Sequence, residues 1–140
     1  MINIAGLANV VDSLAAVREV VFDRAELAGP ELAAVLAANF TGREPLRQRL
    51  TRCPRFGNDQ PAADVLARDV AEFVFREFLG HRAWRGGRFL GSCLMFVTYA
   101  QAGKGVAATP DGRLAGAPLA DSAGPVQGRD LNGPDRKSVV

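Results

Sequence analysis

The residue types able to do chemistry are concentrated late in the sequence. Thr109-Pro110-Asp111-Gly112 is followed at once by Arg113, which sets a carboxylate beside a guanidinium on a stiffened backbone. Proline pre-sets φ, the Asp side chain can bond backbone two residues on, and glycine accepts positive φ. Such a turn can clamp backbone, form an ion pair or hold an anion. Gly103-Lys104-Gly105 adds a glycine-flanked cation just upstream, but the GxxxxGK[ST] spacing of a phosphate loop is missing. Cys53 precedes a proline and Cys93 stands far from it, with no CxxC spacing. No histidine lies near Cys53 to lower its pKa, so both cysteines read as reduced, buried thiols. Asp64, Asp69, Glu72 and Glu77 could pair for acid–base work, yet Arg68 and Arg76 interleave them and the group reads as a solvated helix face. Arg43, Arg47, Arg49 and Arg52 read the same way, their long stems covering apolar surface. His81, the single histidine, reads as a helix C-terminal cap, with Trp84 in the loop beyond it.

The elements that must position these residues are mostly helical. Val10, Leu14, Val17 and Val21 recur at helical spacing over 9–23, with Asn9 as N-cap and Asp12 placed for a variant capping box. A second helix is expected from Pro30 to about residue 40, with Leu32, Val35, Leu36 and Phe40 as its stripe. Residues 43–52 suit a short helix. Cys53-Pro54-Arg55-Phe56-Gly57-Asn58-Asp59 then breaks the pattern, with Gly57 suited to a left-handed turn and Asp59 to the next N-cap. The longest helix is expected over 61–79, burying Leu66, Val70, Phe73 and Val74. Residues 89–99 are nearly continuously apolar and read as a strand buried on both sides. Leu94, Phe96 and Thr98 share one face of it, and Cys93, Met95, Val97 and Tyr99 the other. Residues 104–130 carry no periodicity. Val106, Leu114, Leu119 and Val126 are spaced through them as if packed under something, and a segment of this length without elements is functional or disordered.

Composition sets the outer limits. The 140 residues, 48% of them hydrophobic and 23% charged, suit a globular protein with a usable core. A net charge of +2 gives no reason to expect nucleic acid or an anionic membrane. No apolar run approaches membrane-spanning length, and the first residues lack a signal peptide's basic region, so a cytoplasmic location is expected. One strand cannot make a sheet, and amphipathic helices with no sheet to cover imply part of a larger α/β fold.

Motifs sharpen that expectation. Ala108-Thr109-Pro110-Asp111-Gly112-Arg113, then Ala115-Gly116-Ala117-Pro118-Leu119-Ala120-Asp121, then Gly124-Pro125-Val126-Gln127-Gly128-Arg129-Asp130, resembles the glycyl radical enzymes. That family includes pyruvate formate-lyase and the glycerol and diol dehydratases. Gly6-Leu7-Ala8-Asn9-Val10-Val11-Asp12-Ser13-Leu14 is similar to the family's GxANxxDSL stretch, Arg55-Phe56-Gly57-Asn58-Asp59 to its KxGND segment, and Arg85-Gly86-Gly87-Arg88-Phe89 to its RGGxF entry to a strand.

The resemblance implies an α/β fold: a partial segment of a ten-stranded barrel, mostly helical, with one clear buried strand and a long C-terminal loop. Residues 1–99 would form the helices and strand of this partial pyruvate formate-lyase-like domain, and 100–140 a long structured loop. Ile4 to Ala8 would approach the substrate cavity from a strand end. Leu94, Phe96 and Thr98 would line the substrate wall, whose apolar character favours a bulkier or less polar substrate than a small polyol. In the family, radical chemistry needs a thiyl cysteine in a Gly-Cys loop and a glycine in an RVxGY-like motif. Neither motif occurs here, so the chain is expected to be a fragment with no catalytic residue and no bound cofactor or metal, inactive alone. The whole enzyme would be a homodimer acting on a small molecule, its glycyl radical installed by an S-adenosylmethionine-dependent iron–sulfur activating enzyme. A lyase, dehydratase or decarboxylase is favoured over a formate C-acetyltransferase. A non-catalytic anion-binding module, using residues 103–105 and the PDGR turn, or a barrel-completing module, are the alternatives. Asp111 and Arg113 are expected to act as an ion pair or backbone clamp. The turns of 104–130 are expected to need barrel elements outside the chain, leaving their amides fast to exchange in isolation.

Overall fold

The computed structural model describes residues 1–95 and 97–131. In order, they form β1 (Ile2–Asn3), α1 (Leu7–Val17) continuing into a π-helical turn (Arg18–Asp23), α2 (Gly29–Ala37) and α3 (Glu44–Leu50). Then come α4 (Pro61–Gly80), β2 (Gly91–Ser92) and α5 (Tyr99–Gly103), and the remainder is turns. The mostly helical reading with a small strand component holds. The strand expected over 89–99 is far shorter. Only Gly91–Ser92 pairs, in parallel with Ile2–Asn3, and Thr98 already serves as the N-cap of α5. The apolar run predicted burial on both faces, but β1 is the single described strand beside it, and Leu94 and Val97 are 55% and 84% exposed. An apolar sequence without neighbours to pair with does not hold an extended ladder.

Helix α1 starts before the expected Asn9. Its N-cap is Gly6 in the left-handed region, and Asn9 and Asp12 sit inside the helix, buried. Capping was the wrong reading of these residues; their side chains reach other segments. Helix α4 also turns a different face inward. Ala63, Ala67 and Ala71, four apart, are buried, whereas Phe73 is exposed and Leu66 and Val70 are only partly covered. Small side chains let α1 and α4 approach closely, so the alanine row wins over the bulkier stripe. Asp64 lies on that buried side, unlike the exposed Asp69, Glu72 and Glu77. Gln60, not Asp59, is the N-cap residue of α4.

Two apolar clusters hold the chain together. Ala16, Val20, Leu32, Val35, Phe40, Leu50 and Cys53 join α1 and its π-helical turn to α2 and α3. Ala8, Val11, Phe56, Ala67 and Ala120 join α1 to α4 and to the long turn segment. Burial of each large side chain contributes about 1.5–3 kcal/mol. Two of the arginines expected to be merely solvated pair across elements: Arg49 with Glu19 at 2.7 Å and Glu26 at 2.8 Å, and Arg43 with Glu31 at 2.7 Å. Hydrogen bonds from Arg49 to Glu26 and Glu19 raise its guanidinium pKa further.

Candidate functional site

Of the residues singled out for chemistry, Thr109, Asp111 and Arg113 come together, against the end of α1 nearest β1. The Asp111 carboxylate is 1% exposed and accepts from Asn9 Nδ2 at 2.9 Å, from the Thr109 hydroxyl at 2.5 Å and from the Arg113 N–H at 3.2 Å. Its own N–H donates to Ser13 Oγ at 3.3 Å. Asn9 Oδ1 accepts from the Ala120 N–H at 2.7 Å, so a single amide side chain ties α1 to two points of the turn segment nine residues apart. Asp12 Oδ1 accepts from the Phe56 N–H at 2.9 Å and holds the CPRFGND turn against the same helix. Burial pushes the Asp12 carboxyl up to about 7, partly offset by the Phe56 N–H. Asn9, Asp12 and Ser13 therefore form one helical face of polar staples. Their spacing of three and four residues was the available signal.

Arg113 is a backbone clamp. Its guanidinium donates to Ala117 O at 2.7 Å, to Val106 O at 3.2 Å and to Ala107 O, while Nε donates to Thr109 Oγ1 at 3.2 Å. Burial lowers its pKa, with Asp111 opposing the shift. Four of its five N–H donors are thus taken by the chain itself. Gly112 has φ +82°, and a Cβ there would come within 2.5 Å of Thr51 Cγ2. Arg47 Nη1 donates to Gly112 O at 3.3 Å. The PDGR turn is thus seated on α3 and cannot serve as the anion receptor of the alternative reading. Gly103 lies against the Ala117 carbonyl, whereas a Cβ at Gly105 would meet nothing within 4 Å.

A groove of about 330 Å³ beside the end of β1 is lined by Gly6, Asn9, Ser13, Thr109, Pro110 and Leu119, among others. Ala5 and Gly6 also border it, in the stretch expected to reach a cavity from the strand's end. Leu94 and Thr98 do not line this groove. Leu94 is exposed, its N–H donating to Ser92 Oγ at 3.3 Å, and Thr98 is exposed with its hydroxyl donating to Met95 O at 2.8 Å. Phe96 lies outside the described residues. Cys53 is buried and Cys93 half-buried; burial pushes both thiols up, so neither is set up as a nucleophile. Among the described residues no group of three or more His, Cys, Asp or Glu could hold a metal ion, and no helix is long and apolar enough to cross a membrane.

The arrangement matches known proteins in sequence and in shape. Residues 1–103 match the family model described as pyruvate formate lyase-like. The chain belongs to this family. The segment shares 37% identity over 129 residues with isethionate sulfite-lyase of Bilophila wadsworthia, covering 92% of this chain and 16% of that protein. It shares 38% over 138 residues with a probable dehydratase, YbiW, of Escherichia coli, covering 92% and 17%. The B12-independent glycerol dehydratase from Clostridium butyricum, solved with glycerol bound, superposes with a TM-score of 0.91 at 38% identity, over 95% of this chain and 17% of that one. This pyruvate formate lyase-like chain spans about a sixth of the length of its curated relatives. It is a partial α/β segment of a glycyl radical enzyme barrel.

Proposed function

We propose that this chain is the wall segment of a glycyl radical lyase of the dehydratase type, not of a formate C-acetyltransferase. The supporting observation is the set of relatives, which includes isethionate sulfite-lyase and trans-4-hydroxy-L-proline dehydratase, aligned over 92% of the chain. Those names share elimination from a small, polar-substituted carbon skeleton. The chain's own contribution is positional. Asn9 and Ser13 bind Asp111 to α1, Arg47 holds Gly112 to α3, Arg113 clamps the segment's own carbonyls and Asp12 holds the 53–59 turn, giving a stiff surface for the rest of a barrel. Stiffness of this kind matters because a small misplacement of substrate-bearing walls costs rate steeply.

In this reading Leu94, Phe96 and Thr98 form the substrate-facing part of the segment and favour a substrate less polar than a small polyol. The thiyl cysteine and the radical glycine are supplied from outside residues 1–140. Activation comes from an S-adenosylmethionine-dependent iron–sulfur enzyme, and the assembled protein is a cytoplasmic homodimer. No cofactor is held by residues of this chain.

A chimera tests it. Residues 1–131 replace the corresponding segment of the Clostridium butyricum glycerol dehydratase, and the product is activated anaerobically. A glycyl doublet by electron paramagnetic resonance at the parent's yield, with kcat/KM altered and altered again by Thr98→Val, is the expected result. A folded chimera with a normal doublet and parental kinetics in both forms would remove Leu94, Phe96 and Thr98 from the wall. A folded chimera without a doublet would remove the segment from the family's working barrel. The chain alone, incubated with the activating enzyme, is expected to give no doublet.

A further inference from the structure

On the side of the CPRFGND turn away from α1, a cleft of about 280 Å³ is lined by Arg52, Arg55, Asn58, Gln60 and Arg129, together with Thr51, Cys53 and Leu131. Three arginines line it, from just beyond α3, from the turn and from the Gly128-Arg129 loop, and no carboxylate lines it among the described residues. Arg55 Nη2 is sealed from solvent with no hydrogen-bond partner. A buried donor without an acceptor is unusual and calls for an explanation. Burial and the like charge of Arg129 both disfavour the charged form of Arg55. Asp12 and Asp111 oppose that shift in part, and Asp111 Oδ2 also stands 3.7 Å from Arg129 Nη1. Their hydrogen bonds run to other groups: Asp111 accepts from Asn9, Thr109 and the Arg113 N–H, and Asp12 from the Phe56 N–H.

The cleft is held open by groups whose hydrogen bonds are satisfied elsewhere. Asn58 Nδ2 donates to Arg129 O at 3.0 Å and its Oδ1 accepts from the Leu131 N–H at 2.8 Å, fixing the loop that carries Arg129. Arg129 Nη1 donates to Asp111 O at 2.7 Å, which anchors one edge of its guanidinium. Gln60 Oε1 accepts from the Arg55 N–H at 2.7 Å, an arrangement that leaves the Gln60 amide NH₂ as a further donor. Arg52 is exposed. The lining is therefore donor-rich, cationic and organised before any ligand arrives.

We propose that this cleft binds a small tetrahedral oxyanion of the phosphate or sulfate class, clamped by Arg52, Arg55 and Arg129 with Gln60. A planar carboxylate presents its two oxygens in one plane and suits one guanidinium fork; a tetrahedral dianion can meet donors arriving from three segments. Its lining includes neither Arg113, four of whose five donors are used internally, nor Leu94 and Thr98. It stands whether or not the lyase reading holds.

Inorganic phosphate is titrated into the 140-residue chain at constant ionic strength, with chloride as the balancing ion, and followed by amide chemical shifts. Saturable one-site binding, with the largest shifts at Asn58, Gln60 and Leu131, is expected. Arg55→Gln should weaken it at least tenfold, with partial recovery in Arg55→Lys. Arg52→Gln, at an exposed position that leaves the fold intact, should weaken it at least threefold and carries the test if Arg55→Gln does not fold. Methyl phosphate binding as well as inorganic phosphate would point to an esterified group, and inorganic phosphate binding alone to the free anion; either supports the site. Acetate binding as tightly as phosphate would overturn the tetrahedral ligand. A response matched by chloride, or one unchanged by Arg52→Gln and Arg55→Gln, would overturn the site.

Discussion

Residues 104–131 and residues 81–98 reverse what their sequences lead one to expect. The first stretch has no periodicity and is rich in glycine and proline, yet Ala108, Asp111, Arg113, Leu119 and Ala120 are buried within it. The second carries the nearly continuous apolar run that begins at Phe89, yet Leu94 and Val97 are exposed and the strand there amounts to Gly91–Ser92. The difference is where each stretch finds its partners. The turn segment meets its hydrogen-bonding needs from α1, α3 and its own carbonyls, all present in this chain. The apolar run needs strands on its flanks, and the described residues supply β1 alone. Polar complementarity within one chain has ordered a segment that hydrophobic patterning cannot describe.

The sharpest way to break this contrast is to remove the clamp. Arg113→Ala leaves the carbonyls of Val106, Ala107 and Ala117 without their donor, and should cost about 3–5 kcal/mol in a urea unfolding series. Next in size is Asn9→Leu, which keeps volume but strands Asp111 and the Ala120 N–H at about 2–3 kcal/mol. Hydrogen exchange on the unmodified chain should show the amides of Asp111, Gly112, Arg113 and Ala120 protected well beyond those of 84–90. That is the opposite of the expectation drawn from sequence, because the neighbours that hold the turns lie within the chain.

Asp12 sharpens the comparison through pH. Its folded-state pKa, near 7, lies above the ordinary carboxylate value of 3.8, so the folded chain binds this proton more tightly than the unfolded one. Its contribution to stability is present when the carboxyl is protonated and is lost as pH rises from about 4 through 7. At about 1.36 kcal/mol per unit, the whole shift bounds the effect near 4 kcal/mol. Asp12→Asn keeps an acceptor for the Phe56 N–H and removes the charge. It should flatten the dependence of melting temperature on pH between 5 and 8 and raise stability at the alkaline end. The smallest effect should come from Trp84→Ala in the loop before the apolar stretch, within about 0.5 kcal/mol of the unmodified chain, since the indole is almost wholly exposed.

Much of the fold was legible because it is local. Helix existence, the left-handed Gly57 at φ +84° and the PDG turn follow from periodicity and turn chemistry over a few residues. The inward face of α4 was not, because close approach of two helices selects Ala63, Ala67 and Ala71 over larger neighbours, and a single helix cannot announce its partner. The clamp role of Asp111 and Arg113 was readable from their types and spacing. The staple role of Asn9, Asp12 and Ser13 was hidden behind an equally good local explanation, helix capping. The Arg55 cleft was invisible, since its three arginines are brought together only by folding.

The hydrogen bonds from Asn9 to Asp111 and Ala120 span 102 and 111 positions of sequence. On a ribosome, at roughly 5–20 residues per second, α1 emerges several seconds before the residues that will satisfy it. During that interval its polar face is held by water, and the closure that replaces the water joins nearly the whole length of the chain. Contacts of such separation form late and slowly, after the local helices. Maturation of this segment should therefore be limited by the arrival of its last quarter, and a nascent chain halted near residue 105 would present a finished set of helices around an unfinished polar seam.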